Sequence, residues 1–196
     1  MATTEQLQER IKELKKSKKA IILAHYYTRP EVQQVADFVG DSLQLARAAQ
    51  GTDADIILFA GVHFMGETAK VLSPDKKVLI PDPEAGCSLA DSCPADDFAR
   101  FIEAHPGHTV VSYVNTSVAV KALTDIVCTS SNALQVVSSI PESTPVIFGP
   151  DRNLGSYIKS MTGRKNMVIW DGACHVHERF SLEAILRLKS EHPGAR

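Results

Sequence analysis

The sequence lacks the features that mark membrane-spanning, secreted or nucleic-acid-binding proteins. Its 196 residues contain no apolar stretch long enough to span a bilayer. The first residues lead directly into an amphipathic helix rather than into a signal-peptide core. The formal net charge is −2, and no basic stripe interleaved with aromatic residues is present. These absences predict a cytoplasmic protein that binds neither a membrane nor nucleic acid.

Cysteine is scarce, and its spacing excludes the common zinc frameworks. The chain has four cysteines and no C-x2-C pair, and the separation of Cys87 from Cys93 is too long for a zinc knuckle. In a reducing compartment, scattered cysteines serve as ligands, nucleophiles or core residues rather than as disulfides. Cys128 ends an apolar run and is predicted to be a buried packing residue. Cys93 lies in a polar stretch, which leaves its role undecided.

The sequence does contain a regular alternation of apolar, strand-like runs with helix-compatible segments. With 44% hydrophobic residues, the chain can bury one core or two small ones. Such alternation is typical of βαβ units, so the predicted fold class is α/β with repeated three-stranded parallel αβα domains. The predicted strands are, in chain order, Ala20–Ala24, Asp55–Ala60, Lys77–Pro81, Thr109–Val114, Asp125–Thr129, Pro145–Gly149 and Met167–Trp170.

The predicted domains follow from the position of the loops. Proline in segment 81–83 and the polar segment 91–97 indicate a division after the third strand. We predict a first domain over residues 1–84, a second over residues 85–170 and the start of a third unit over residues 171–196. This last segment holds one helix, Ser181–His192, capped by Ser181. One helix cannot close a domain, so we interpret the third unit as truncated.

Two cysteines occupy the same local setting. Cys87 and Cys174 each follow an apolar, strand-like run and lie in a glycine-containing loop. Because the carboxyl ends of parallel strands are where open α/β sheets build their sites, the two thiols suggest a shared metal or cluster. Alternatively, Cys174 with His175 and His177 could form a nucleophile and its base.

Other polar residues also follow predicted strands. The segment His25–Tyr27 places residues capable of proton transfer directly after the first strand. Tyr113 and Asn115 end the fourth strand on one side, because side chains alternate along an extended chain. Ser42 and Ser130 lie where helices begin, and free amide groups there can receive a carboxylate or phosphate. Ordinary N-capping by Asp41 is the simpler explanation of the first helix start.

A histidine and a glutamate lie four residues apart in a predicted helix. His63 and Glu67 share one helical face, and this spacing can serve a metal ion. A lone pair of this kind is more often a surface hydrogen bond. Both readings stay open at the level of sequence.

Nine short segments, taken together, carry a family resemblance. They are Ala24–Tyr27, Gly40–Ser42, Gly61–Thr68, Pro83–Cys87, Tyr113–Asn115, Thr129–Ala133, Phe148–Leu154, Met161–Gly163 and Gly172–His177. In this order, across almost the whole chain, they resemble the quinolinate synthase family. The resemblance implies three similar αβα domains around a pseudo-threefold axis and a 4Fe–4S cluster held by one cysteine from each domain. It also implies synthesis of quinolinate from iminoaspartate and dihydroxyacetone phosphate, on the route to NAD.

The resemblance assigns roles to individual residues. It implies that Cys87 and Cys174 are two cluster ligands, and it gives Cys93 and Cys128 no role. It implies a substrate cavity lined by His25, Tyr27, Ser42, Tyr113, Asn115, Ser130 and His177. We interpret Tyr27 as the proton-transfer group, with His25 and His177 as orienting or charge-neutralising partners.

The resemblance also reaches beyond this chain. Family members extend further and supply the third cysteine from a third domain. A functional link to an aspartate-oxidising enzyme is implied as well. A competing interpretation is a non-catalytic, two-domain binder that holds a small dicarboxylate or phosphate at facing helix ends, with cysteines that are structural.

Overall fold

The computed structural model describes residues 2–195, and in it the chain forms two parallel four-stranded sheets. The strands are β1 (Ala20–His25), β2 (Phe38–Gly40), β3 (Ile56–Ala60), β4 (Lys77–Leu79), β5 (Thr109–Tyr113), β6 (Ile126–Cys128), β7 (Val146–Gly149) and β8 (Met167–Ile169). The orders are β2-β1-β3-β4 and β6-β5-β7-β8. The α/β class and all seven predicted strands are confirmed. Each sheet has four strands instead of the predicted three, because the short strand β2 escaped prediction and β8 completes the second sheet.

Helices connect successive strands, as parallel pairing requires. They are α1 (Thr4–Ser17), α2 (Pro30–Gln33), α3 (Ser42–Gly51), α4 (His63–Leu72), α5 (Ser88–Asp91), α6 (Ala95–Glu103), α7 (Val118–Lys121), α8 (Ala133–Ser139), α9 (Arg152–Thr162) and α10 (Leu182–Glu191), with a 3₁₀ turn at His177–Arg179. Within residues 2–195, none of them has both the length and the apolar character that crossing a membrane requires.

The two sheets are repeats of one arrangement, and an aspartate marks the repeat. Asp37 precedes β2, and its carboxylate accepts a hydrogen bond from the Ile22 amide at 2.8 Å, while its own amide donates to the Ile22 carbonyl at 2.9 Å. Asp125 precedes β6 and makes the same two bonds with Val110, at 2.8 and 3.0 Å. Each aspartate therefore fixes the edge strand in the same register beside the central strand.

Separate apolar cores support the two sheets. Leu23, Leu45 and Phe59 are buried in the core of the first sheet. Side chains alternate along a strand, so the second sheet has two faces, and apolar clusters cover both. One face packs in a cluster that contains Val111, and the other packs in a cluster that contains Val110.

The chain crosses from the first core to the second around α5. Cys87 and Ala90 pack against the first core, whereas Cys93 is buried in a cluster of the second half. The Trp170 indole then donates a hydrogen bond to the Ser92 carbonyl at 2.9 Å, which joins the end of β8 to this crossing. The crossing segment is thus held from both sides.

The last helix has the predicted boundaries but buries none of its residues. Ser181 caps α10 by accepting a hydrogen bond from the Ala184 amide at 3.2 Å, as the sequence predicted. The apolar side chains of Leu182, Ile185 and Leu186 remain exposed. The helix therefore has an N-cap but no packing against a core.

The repeated aspartate contact gives a stability prediction. Asp125→Ala should lower the free energy of unfolding by about 1–2 kcal/mol, because it leaves the Val110 amide without its acceptor. Urea unfolding followed by circular dichroism measures this change. Asp75→Ala, at an exposed position, is the matched control and should change stability by less than about 0.5 kcal/mol. Equal stability of the two variants would contradict a register-fixing role for Asp125.

Candidate functional site

The strand order places the candidate site at the carboxyl end of the central strands. In each sheet the chain moves from the central strand to one edge, then returns to the other side of that strand. Such a switch of direction opens a crevice beyond the strand ends, where ligands bind in open α/β sheets. His25 is the last residue of β1, and Tyr113 is the last residue of β5. Both therefore lie where the strand order predicts a ligand crevice.

The two repeats deliver site residues from equivalent positions. The same sequence offset separates His25 from Tyr113, Tyr27 from Asn115, and Ser42 from Ser130. The pairing registers agree with this equivalence, because His25 lies beside Gly40 as Tyr113 lies beside Cys128. All the predicted substrate-lining residues except His177 therefore form a duplicated set on the scaffold.

His25 is buried and hydrogen-bonded within its own loop. Only 8% of the residue is exposed, and its Nδ1 atom accepts a hydrogen bond from the Tyr27 amide at 3.3 Å. Burial lowers the pKa of His25, although nearby Asp41 acts in the opposite direction. The imidazole is therefore neutral at neutral pH, with its proton on Nε2. A neutral ring can orient a partner but cannot neutralise a charge.

The two other predicted catalytic side chains are exposed. Tyr27 is 93% exposed, and its ring lies 4.6 Å from the ring of His25 between centroids. His177 begins the 3₁₀ turn and stacks on Phe180, with centroids 6.1 Å apart. The rings of His25 and Tyr27 thus contact each other, whereas the ring of His177 contacts Phe180.

Tyr113 shares its surroundings with groups from three loops. Burial raises the pKa of Tyr113, the interaction with the Ser130 hydroxyl opposes this, and the nearby Asp151 and Cys87 raise it further. The phenol is therefore protonated at neutral pH and available as a hydrogen-bond donor. Tyr113, Ser130 and Cys87, which were singled out separately in the sequence, lie in one neighbourhood.

Asn115 presents a buried acceptor that has no donor. Its Oδ1 atom is inaccessible to solvent and makes no hydrogen bond with any of residues 2–195. Leaving a buried polar atom unpaired costs about 1–3 kcal/mol. Native structures tolerate this mainly where a ligand, ion or water completes the bond. The unpaired oxygen agrees with the predicted substrate-lining role of Asn115, which stays a prediction.

The loops of Cys87 and Cys174 touch each other. The Ser88 hydroxyl accepts a hydrogen bond from the His175 amide at 3.3 Å, so the residues that follow the two cysteines are in direct contact. Both thiols are free and partly buried. The loops that carry the two cysteines are thus in contact, and a site shared by the two thiols stays a prediction.

The two remaining cysteines are core residues. Cys93 and Cys128 are each 1% exposed, and burial raises the pKa of each thiol to about 12. The predicted packing role of Cys128 is confirmed. Cys93, which the sequence left undecided, has the same role.

A charged cluster anchors the Cys174 loop and was missed in the sequence. Arg152 binds the carboxylates of Asp171 at 3.1 Å and Glu178 at 2.9 Å. The other oxygen of Glu178 accepts a hydrogen bond from Asn153 at 2.8 Å, and the Glu178 amide donates to the Cys174 carbonyl. Asn153 and Arg152 lower the pKa of Glu178. These partners lie too far apart in the chain to leave a local motif.

Ser42 and Ser130 stand differently at the starts of α3 and α8. The Asp41 carboxylate accepts the Gln44 amide at 2.8 Å and caps α3, so the simpler reading of this helix start is confirmed. Ser42 is the first helical residue. Ser130 is exposed and lies two residues before Asn132, the N-cap position of α8. Anion binding by Ser42 and Ser130 stays a prediction.

His63 and Glu67 form part of a contact between the halves. The His63 Nδ1 atom lies 3.7 Å from one carboxylate oxygen of Glu67, and the other oxygen accepts the Val118 amide at 2.9 Å. No group of three or more histidine, cysteine or acidic side chains suited to a metal ion is found among residues 2–195. At 3.7 Å the two side chains are too far apart for a hydrogen bond, so the Glu67 carboxylate is held by the Val118 amide rather than by His63.

Comparison with known proteins identifies the family. The model of the family described as "Quinolinate synthetase A protein" matches residues 9–196. The chain belongs to this family.

Curated quinolinate synthases show the same relationship. The protein of Nostoc punctiforme is 61% identical over 185 residues, which cover 94% of this chain and 57% of that protein. The protein of Prochlorococcus marinus (strain MIT 9313) is 57% identical over 195 residues, or 100% of this chain and 58% of that protein. The protein of Chloroherpeton thalassium is also 57% identical, with coverages of 95% and 58%. The chain thus spans a little over half the length of these relatives.

The quinolinate synthase family uses a 4Fe–4S cluster. Two free, partly buried thiols from separate repeats lie in touching loops, and thiolate is the ligand that holds such clusters. Among the described residues, these loops contain two candidate cluster ligands rather than three. Cys87 and Cys174 as cluster ligands therefore remain a proposal.

Burial predicts which thiols react. In iron-free folded protein, iodoacetamide should modify Cys87 and Cys174 within minutes and leave Cys93 and Cys128 unmodified, because the latter are buried and hard to ionise. Mass spectrometry of peptides measures the extent at each position. The same protein in concentrated urea is the control, in which all four should react. Rapid modification of Cys128 in the folded protein would contradict the packing role.

Proposed function

We propose that the protein containing this chain is a quinolinate synthase that condenses iminoaspartate with dihydroxyacetone phosphate. Atom balance requires that one phosphate and two water molecules leave when quinolinate forms. Such a reaction needs groups that hold anions, polarise a carbonyl or imine, and move protons. A functional link to an aspartate-oxidising enzyme, which would supply the imine, belongs to the proposal.

The contact between the Cys87 and Cys174 loops is the observation that carries this proposal. The hydrogen bond from the His175 amide to Ser88 joins loops from two repeats, and Tyr113 lies close to Cys87. A cluster held here would border the same crevices as the duplicated polar residues. We propose Cys87 and Cys174 as two of its three ligands, with the third outside this chain. We also propose residues 1–84, 85–170 and 171–196 as the parts of three domains.

The proposed cofactor contributes one chemical function. When bound, a 4Fe–4S cluster held by three thiolates supplies an open iron that acts as a Lewis acid on a substrate hydroxyl or carboxylate. All other steps fall to protein side chains.

The polar residues divide into those that hold substrate and those that move protons. We assign substrate binding to His25, Ser42, Tyr113, Asn115 and Ser130. The neutral Tyr113 phenol and the amide of Asn115 donate hydrogen bonds to the carbonyl or imine oxygen or nitrogen, while the buried Oδ1 of Asn115 accepts one from substrate. Ser42 and Ser130 hold carboxylate or phosphate oxygens.

Proton transfer is assigned to Tyr27, with His25 and His177 as its partners. The His25 ring contacts the Tyr27 ring, and its Nδ1 accepts the Tyr27 amide, so His25 orients this residue. His177 is the second proposed partner of Tyr27. This division of roles assigns each of the three predicted catalytic residues one task.

Anaerobic purification tests the proposed function. Protein expressed from its whole reading frame is expected to be brown and to convert iminoaspartate and dihydroxyacetone phosphate into quinolinate, detected by chromatography. Heat-denatured protein is the control for spontaneous condensation. Colourless protein that binds a dicarboxylate but makes no quinolinate would instead support the non-catalytic binder.

Replacement of single cysteines tests the ligand assignment. Cys87→Ala and Cys174→Ala should each lose most of the bound iron, because a methyl group cannot replace a thiolate ligand. Cys128→Ala is the matched control and should keep its iron at a stability cost of about 1 kcal/mol. Iron analysis and electron paramagnetic resonance of the reduced proteins provide the measurement. Equal iron content in all three variants would contradict the assignment.

Removal of one hydroxyl tests the proton-transfer role. Tyr27→Phe should lower turnover by about 10²-fold, because a general acid or base typically contributes a factor of this size. Its iron content should stay normal, since the hydroxyl is not a proposed ligand. Tyr157→Phe, at another exposed tyrosine, is the matched control. Unchanged turnover would show that the proton is moved by another group.

A further inference from the structure

A side chain at the end of α2 holds the loop that carries Tyr27. The Gln33 Nε2 atom donates hydrogen bonds to the Tyr26 carbonyl at 3.1 Å and to the Thr28 carbonyl at 2.8 Å. These carbonyls flank Tyr27 on both sides. Gln33 is partly buried, and it is the last residue of its helix. One side-chain amide thus fixes the backbone on either side of the proposed proton-transfer residue.

A lysine at the end of α7 does the same for Asn115. The Lys121 Nζ atom donates hydrogen bonds to the Val114 carbonyl at 2.9 Å and to the Thr116 carbonyl. These carbonyls flank Asn115, whose Oδ1 is the buried acceptor without a donor. Lys121 is likewise partly buried and is the last residue of its helix.

The two contacts are repeats of one device. The sequence offset that relates Tyr27 to Asn115 also relates Gln33 to Lys121. A threonine completes each loop in the same way, because the hydroxyls of Thr28 and Thr116 donate to the carbonyls three residues earlier, at 2.8 and 3.2 Å. The device persists in both repeats although its donor is an amide in one and an ammonium in the other.

Lys121 is placed there at an energetic cost. Burial lowers its pKa to about 8, while the nearby carboxylate of Glu67 opposes this shift. Its ammonium also lies 5.3 Å from the centroid of the Phe64 ring, and Glu67 accepts the Val118 amide at the start of α7. The amine is thus surrounded by two backbone carbonyls, one ring and one carboxylate, all of which favour a donor at this point.

We propose that Gln33 and Lys121 are equivalent positioning residues that fix Tyr27 and Asn115 at the site. The assignment rests on the proposed function for what the two positioned residues do, but not for the contacts themselves. Neither Gln33 nor Lys121 needs to touch substrate. Each acts by bridging two carbonyls, so that the residue between them keeps one backbone conformation.

Variants that remove only the donor test the device. Gln33→Met keeps the length of the side chain and Lys121→Met shortens it by one atom, and neither variant can donate a hydrogen bond from this side chain. Lys121→Gln restores a donor without the charge and copies the other repeat. Gln135→Met and Lys165→Met are matched controls, because both residues are exposed and make no side-chain hydrogen bond among residues 2–195. All variants are made in the protein expressed from its whole reading frame.

Hydrogen exchange gives a readout that is independent of activity. Amide exchange in residues 26–28 should become about tenfold faster in Gln33→Met, and exchange in residues 114–116 about tenfold faster in Lys121→Met, because each loop loses two hydrogen bonds. The opposite loop should be unaffected in each case. Lys121→Gln should exchange close to the wild-type rate. Unchanged exchange in both loops would overturn the inference.

Kinetics distinguishes positioning from general stabilisation. Gln33→Met should lower kcat about tenfold, because it misplaces the proton-transfer group, whereas Lys121→Met should mainly raise KM, because it misplaces a binding group. In a Tyr27→Phe background, Gln33→Met should add little further loss, since the two residues act as one unit. Lys121→Gln should recover most of the lost kcat/KM.

The outcomes separate the two proposals. If the wild-type protein makes no quinolinate, the proposed function fails, and the exchange rates of the two loops still decide the inference. If both methionine variants lose melting temperature and iron content in parallel, with kinetic constants per iron-loaded molecule unchanged, the side chains are only structural and the inference is overturned.

Discussion

The pairing of an edge strand with a central strand through one aspartate is the constraint on which both candidate crevices depend. Asp37 and Asp125 each give an acceptor and a donor to one residue of the central strand, which fixes the register of the edge strand. That register sets where the next helix begins and therefore where Ser42 and Ser130 lie. A slip by one residue would turn the strand over and remove the crevice.

Polar contacts between distant parts of the described chain determine which loops lie next to each other. The bond between Ser88 and His175 joins the cysteine loops, and Trp170 joins the end of β8 to the crossing segment at Ser92. A Cβ atom added at Gly172 would clash with the Pro150 carbonyl oxygen, so the Cys174 loop approaches the backbone closely there. Such close approach, together with the Glu178 anchor, explains how an otherwise exposed loop keeps a defined place.

Sequence predicted what depends on local pattern and missed what depends on distant partners. The seven predicted strands are apolar runs, whereas β2 is only three residues long and begins with the exposed Phe38, so it carries no strand signal. The helix caps at Asp41 and Ser181 were readable because they act within one turn. Gln33 and Lys121 bind backbone carbonyls, which have no side-chain identity, and thus leave no motif. The neutral state of His25 depends on burial, which no spacing reveals.

The repeats share a scaffold but differ in the chemistry that they place on it. The backbone contacts are the same in both, while the end of the central strand carries His25 in one repeat and Tyr113 in the other. Under the proposed function this asymmetry serves two unlike substrates, because a carbonyl and an imine need different donors while the anionic groups of both can be held alike. Serine occupies the equivalent positions 42 and 130 in both repeats, whereas the strand ends differ, and this pattern agrees with such a division of labour.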